Sequence, residues 1–287
     1  MFGKLVKHEF RATARIIPFV FLVTIILALV NVVSGSLDLG FVSGLSMGLV
    51  IFMSIAQISI VIVLLIWRYY KNLYANEGYL SHTLPVKTSM HLWSKLLVGF
   101  VWMLLSYIVS LLSMFMAGGA ALYRENGNLN AISETYNTII TLFGLKNHQT
   151  AMWLVIGMFL LAAIILVLTE SFFAVSLGSI SKLHSLGIGG PILVFVIGYI
   201  VMQIVQTSAT LLIPIGLKIT SSATGDASFQ FVREGMLPSV ISQMNETVDP
   251  AVTPVIVGLG YYLLVPFLAA GLLFITARII SKNTSIR

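Results

Sequence analysis

The chain of 287 residues contains no cysteine. That excludes a disulfide framework and any thiolate metal site. Charge is also scarce: 9% of the residues are Asp, Glu, Lys or Arg, where a soluble domain carries about 25%. Hydrophobic residues make up 58% of the chain, and the mean hydropathy is +1.00. So few charges cannot cover a surface that faces water, and lipid must be a large part of this chain's solvent.

Catalytic signatures are missing as well. The one Gly-Lys pair, Gly3-Lys4, lacks both the upstream glycine and the following Ser or Thr of a phosphate-binding loop. There is no His-Glu-x-x-His zinc motif, and His8, His82, His91, His148 and His184 are scattered over different segments. No Gly-x-Ser-x-Gly elbow occurs. No pair of adjacent acids lies inside an apolar run. The chain is therefore expected not to be an enzyme, and any energy for work must come from an ion gradient or from another polypeptide.

What is present is a series of long apolar runs. They predict membrane spans at 17–34, 43–67, 95–122, 151–177, 189–213 and 252–279, each long enough to cross about 30 Å of hydrocarbon at 1.5 Å per residue. The run after Arg15 lacks a small-residue cleavage site and reads as a first span rather than a signal peptide. The expected fold is an all-α integral membrane protein of about six transmembrane helices, forming one domain over 1–287.

The basic residues then orient it. One set of ends and loops holds Lys4, Lys7, Arg11, Arg15, Arg68, Lys71, Lys87, Lys95, Lys182, Arg278, Lys282 and Arg287. The opposite set holds only Arg124, Lys146, Lys218 and Arg233. Lys and Arg accumulate on the cytoplasmic side, so both termini are expected in the cytoplasm. The net charge of +6 is explained by this topology and does not call for nucleic acid.

Residues 2–17 are sharply amphipathic. Phe2, Leu5, Val6, Phe10, Ile16 and Ile17 share one face, and Lys4, Lys7, His8, Arg11 and Arg15 share the other. This is the pattern of a helix lying in the membrane interface with its basic face toward anionic lipid head groups. Glu9 falls within the apolar face, where a carboxylate wants a partner or a route to water, and so points modestly to contact with another protein. Outside, 129–143 carries a helical apolar stripe, while 215–251 is polar, with a short helix or re-entrant hairpin expected near 229–244.

The segment 68–94 is polar, basic and broken at Thr83-Leu84-Pro85. Lys87-Thr88-Ser89 offers capping hydroxyls for a helix entering the third span. The order Asn76-Glu77-Gly78-Tyr79-Leu80, then Thr83-Leu84-Pro85-Val86, resembles the first cytoplasmic loop of ABC-2 type transporter permeases. The opening Phe2-Gly3-Lys4-Leu5-Val6-Lys7-His8-Glu9-Phe10 and the six-span plan are similar to that family too. The resemblance implies a bacterial plasma-membrane permease that pairs with a second copy or a paralogue. Separate cytoplasmic ATP-binding subunits would bind ATP and Mg, and this chain would bind no cofactor itself. Residues Asn76 to Pro85 would act as the coupling loop, and Lys182 and His184 in the second cytoplasmic loop as a further contact.

Among the polar residues inside the predicted spans, Gln57, Glu170, Gln203 and Gln206 are the candidate intramembrane sites. Amides there hydrogen-bond neighbouring helices or line a cargo path. Glu170 reads as an interfacial carboxylate with a polar partner, or as a coupling site. Gly40, Gly44 and Gly48 form a small-residue seam for close helix contact, within the chain or with a second permease. The apolar spans favour export of a hydrophobic or amphipathic substrate such as a peptide or drug. An ion-coupled secondary transporter or channel, acting without an ATPase, is the alternative.

Overall fold

The structure, a computed structural model, describes residues 2–75, 88–128, 130–142, 149–180, 186–187, 189–221, 227–245 and 255–282. It is mainly helical: α1 (Phe2–Thr13), α2 (Ile17–Ser36), α3 (Gly40–Leu73), α4 (Thr88–Asn126), α5 (Asn130–Leu142), α6 (Gln149–Gly178), α7 (Gly189–Leu212), α8 (Met236–Asn245) and α9 (Gly260–Lys282). Six of these, α2, α3, α4, α6, α7 and α9, are long and apolar enough to cross a membrane. They leave large apolar side chains exposed, including Phe41, Phe52, Phe115 and Phe267, as a multi-pass membrane protein does where lipid is the solvent.

This helical architecture agrees with the all-α membrane expectation, to which three short strands are added. β1 (Gly216–Ser221), β2 (Ala227–Val232) and β3 (Val255–Gly258) form an antiparallel sheet in the order β2-β1-β3. Gly216 pairs with both Val232 and Gly258. Residues expected to open the last span at 252 are thus partly strand, and its helix starts at Gly260. The apolar run Val255-Ile256-Val257 takes its hydrogen bonds from β1 instead of from a helix turn.

Contacts gather the chain into two compact units. The first comprises Met1–Ser133, Val167–Phe195 and Leu272–Arg287; the second comprises Glu134–Leu166 and Val196–Gly271.

In the first unit, α2, α3 and α4 pack on one another. A turn at Leu37–Leu39 reverses the chain between α2 and α3. There Asp38 takes the left-handed conformation (φ 50°), which Asp tolerates better than most residues, and the Leu39 N–H returns to the Ser34 carbonyl at 3.0 Å. Side chains of α2 and α3 close this corner: Asn31 Nδ2 donates to the Ser43 carbonyl at 3.1 Å and to Ser46 Oγ at 2.9 Å. Small residues keep the three helices near: Ala28, Val50 and Ala117 form a buried cluster. A methyl on Gly35 would lie 3.3 Å from Ala120.

α3 and α4 run antiparallel, their opposed residues symmetric about the segment 76–87. Leu65 lies beside Gly99, and Gln57 Nε2 donates to the Ser106 carbonyl at 2.8 Å. Ser110 Oγ donates to the Ser54 carbonyl at 3.0 Å. With 34 residues, α3 is about 50 Å long and outruns the hydrocarbon core.

In the second unit, Leu166, Ala209, Tyr261 and Val265 form a buried cluster, and Phe159 stacks on Tyr262 with ring centroids 3.9 Å apart. Glycine is required where the sheet meets the helices: a Cβ on Gly258 would strike the Thr210 carbonyl, and one on Gly260 would strike Ile213.

Candidate functional site: a carboxylate shared by three helices

α1 stops at Thr13 because the chain turns at 14–16 and Pro18 sits in the first turn of α2, where a missing N–H costs nothing. Its basic side chains Lys4, Lys7 and Arg11, and Arg15 in the turn that follows, are exposed. Glu9 and Thr13, one turn apart, face the other way, toward α3 and α4.

There Glu9 finds three donors. Arg68 Nε donates to Oε2 at 2.9 Å. Lys95 Nζ donates to Oε1 at 2.5 Å, and Asn72 Nδ2 to the same oxygen at 3.3 Å. Arg68 and Asn72 belong to the last two turns of α3, and Lys95 to the first turns of α4. The Lys95 side chain is 6% exposed and that of Glu9 12%, so little solvent screens the pair. Burial, the largest single influence, raises the Glu9 pKa; Lys95 and Arg68 together more than offset it and hold the carboxyl below its ordinary range.

Aromatic contacts complete the joint. Trp102 Nε1 donates to Thr13 Oγ1 at 2.8 Å, and Phe10 stacks on Trp102 at 4.9 Å. Deeper in, Tyr69 is fully buried, shares a hydrogen bond of 2.7 Å with Ser176 Oγ, and stacks on Phe172 at 4.2 Å. A small, partly open pocket with room for about one water molecule is lined by Glu9, Thr13, Leu65, Arg68, Tyr69, Lys95, Val98 and Phe172.

The carboxylate that sequence left seeking a partner thus has its partners within the chain and makes no demand for another protein. Arg68 and Lys95 enter the sequence reading only as markers of topology, yet they are the cations of this site. Asn72, Trp102, Tyr69 and Ser176 carry no signal of their own in the sequence. Their partners lie as far as 107 residues away.

The other candidates are dispersed. Asn76, Glu77, Gly78, Tyr79, Leu80, Thr83, Leu84, Pro85, Lys182 and His184 lie outside the described residues. Gln57 is completely buried and hydrogen-bonds the neighbouring helix α4, as one of its two sequence readings expects. Gln203 is exposed on α7 and Gln206 is half-buried there. Glu170, half-buried in α6, has no hydrogen-bond or ion-pair partner among the described residues; the polar partner expected for it is not among them. Gly40, Gly44 and Gly48 are exposed, and a methyl on any of them would meet nothing within 4 Å. Among the described residues, nothing packs on their seam.

Among the described residues, no group of three or more His, Asp or Glu could hold a metal ion. No family model matches the chain, and neither a curated protein nor a solved structure matches it.

Proposed function

We propose that this chain is the membrane-spanning permease subunit of an ATP-binding cassette exporter, with ATP and Mg handled by a separate cytoplasmic subunit. The observation that carries the reading is the Glu9 joint. Segment 76–87, the expected coupling loop, lies between α3 and α4, and Glu9 ties α1 to the ends of both helices next to that segment. A push from an ATPase on the loop would reach both arms of the hairpin and α1 together. The long antiparallel pair would carry the movement across the bilayer.

The same proposal has both termini in the cytoplasm, α1 in the interface among anionic lipids, and the bacterial plasma membrane as the site. A second permease, identical or paralogous, would pack on the open Gly40/Gly44/Gly48 seam, since bare backbone suits close helix contact in lipid. The cargo would be hydrophobic or amphipathic, in keeping with the apolar spans.

Copurification tests this. The chain expressed with its genomic neighbours is expected to retain a cytoplasmic ATPase through detergent purification, and Glu77→Ala or Leu84→Ala is expected to weaken that association without unfolding the spans. Undiminished association in both variants would contradict the coupling assignment.

One observation favours the ion-coupled alternative: an acid, Glu170, sits in a span without a partner among the described residues. That reading expects gradient-driven transport by the chain alone in proteoliposomes, abolished by Glu170→Gln. Transport that requires ATP and the second subunit would reject it.

A further inference from the structure

Three buried polar atoms on α3 and α4 have no hydrogen-bond partner among the described residues: Gln57 Oε1, Ser54 Oγ and Ser106 Oγ. All three residues are 0% exposed. Their residues lie on neighbouring rungs of the hairpin. Ser54 and Gln57 lie one turn apart on α3, the Gln57 amide nitrogen already reaches the Ser106 carbonyl, and the next rung is closed by Ser110 on the Ser54 carbonyl. Polar atoms in the interior of a membrane-spanning hairpin have no solvent to turn to, and one left alone is costly.

Their chemistry specifies what would satisfy them. Gln57 Oε1 can only accept, while each hydroxyl can donate once and accept. An apolar occupant would satisfy none of them. A bare cation would bring an uncompensated charge to a place with no carboxylate in contact. A water molecule has two donors and an acceptor. We propose that the α3–α4 hairpin binds one internal water molecule, which donates to Gln57 Oε1 and Ser54 Oγ and accepts from the Ser106 hydroxyl. The two helices are then joined at mid-length partly through a replaceable link. Bonds made through water cost little to re-form when two surfaces shift, so the arms can slide slightly without stranding a buried amide. The site does not depend on what drives transport.

The full chain in lipid nanodiscs tests it, imaged by electron cryomicroscopy at a resolution where ordered waters appear elsewhere in the map. The expected result is a density peak within about 2.7–3.2 Å of all three atoms, unchanged when the sodium of the buffer is replaced by thallium. Absence of a peak, with a serine hydroxyl turned directly onto Gln57 Oε1, overturns the proposal; so does a peak that strengthens in thallium, which marks a cation. A second arm uses water-edited solid-state NMR of the Gln57 side-chain amide, assigned by its loss in Gln57→Met. Transfer from water is expected in the native chain and is expected to vanish in Ser106→Val, whose methyl groups fill the space. Where that variant does not fold, Ser106→Ala is expected to reduce the transfer. Equal transfer with and without the Ser106 hydroxyl overturns the assignment.

Discussion

Glu9 serves two cations at once, and removing it takes this carboxylate from both. Glu9→Ala leaves the Lys95 ammonium buried without its carboxylate, a change that costs about 3–5 kcal/mol for a buried pair. A markedly lower thermal midpoint in detergent is the expected result. The effect also has a pH signature. The Glu9 carboxyl is held below its ordinary range, so the folded chain binds this proton more weakly than the unfolded one. The resulting stability is present in full above the ordinary carboxylate pKa and is lost as pH falls through the lower folded value. Thermal midpoints measured down an acid series should show that loss in the native chain and not in Glu9→Gln. Glycines divide in the same residue-level way. Gly258→Ala drives a methyl into the Thr210 carbonyl and is expected to cost about 1–3 kcal/mol. Gly44→Ala meets nothing within 4 Å and should change the monomer's stability by less than about 0.5 kcal/mol. If Gly44→Ala instead lowers the thermal midpoint as much as Gly258→Ala does, the seam is not open.

At the scale of elements, the α3–α4 register is directly checkable, because the chain has no cysteine of its own. Ser54→Cys with Ser110→Cys is expected to oxidise to a disulfide, since hydroxyl and carbonyl are 3.0 Å apart across the pair. Gly44→Cys with Ser110→Cys is expected not to, and mass spectrometry of the oxidised chain distinguishes the two. The spans were legible in the sequence because twenty apolar residues in a row have few alternatives. The 129–143 stripe was legible for the related reason that its period is helical, and α5 occupies Asn130–Leu142. The sheet was harder to read. Leu217 and Ile219 alternate with Lys218 and Thr220, a strand pattern, but two turns of alternation decide little alone. Val255-Ile256-Val257 is continuous with the last span in composition, and only its pairing with β1 makes it a strand. The Glu9 site was illegible for the same reason. A carboxylate on an apolar face signals that something must answer it, yet the answering residues lie 59 and 86 positions away.

For the whole molecule, the proposed orientation rests on the uneven distribution of Lys and Arg. Single cysteines placed at His82 and at Asn128 should therefore react with an impermeant thiol reagent on opposite faces of the cell. His82→Cys is expected to be protected in intact cells and labelled after lysis, and Asn128→Cys to be labelled in both. Labelling of His82→Cys in intact cells would remove the coupling loop from the ATPase's side and with it the proposed mechanism.

The small sheet has a mechanical consequence of its own. β1 follows α7 within a few residues and β3 runs almost directly into α9, and the two strands are laced together from Gly216–Gly258 to Ile219–Val255. The neighbouring ends of those two spans are held like the pivot of a pair of dividers. If these legs ever part, they do so from the points, with the pivot staying shut.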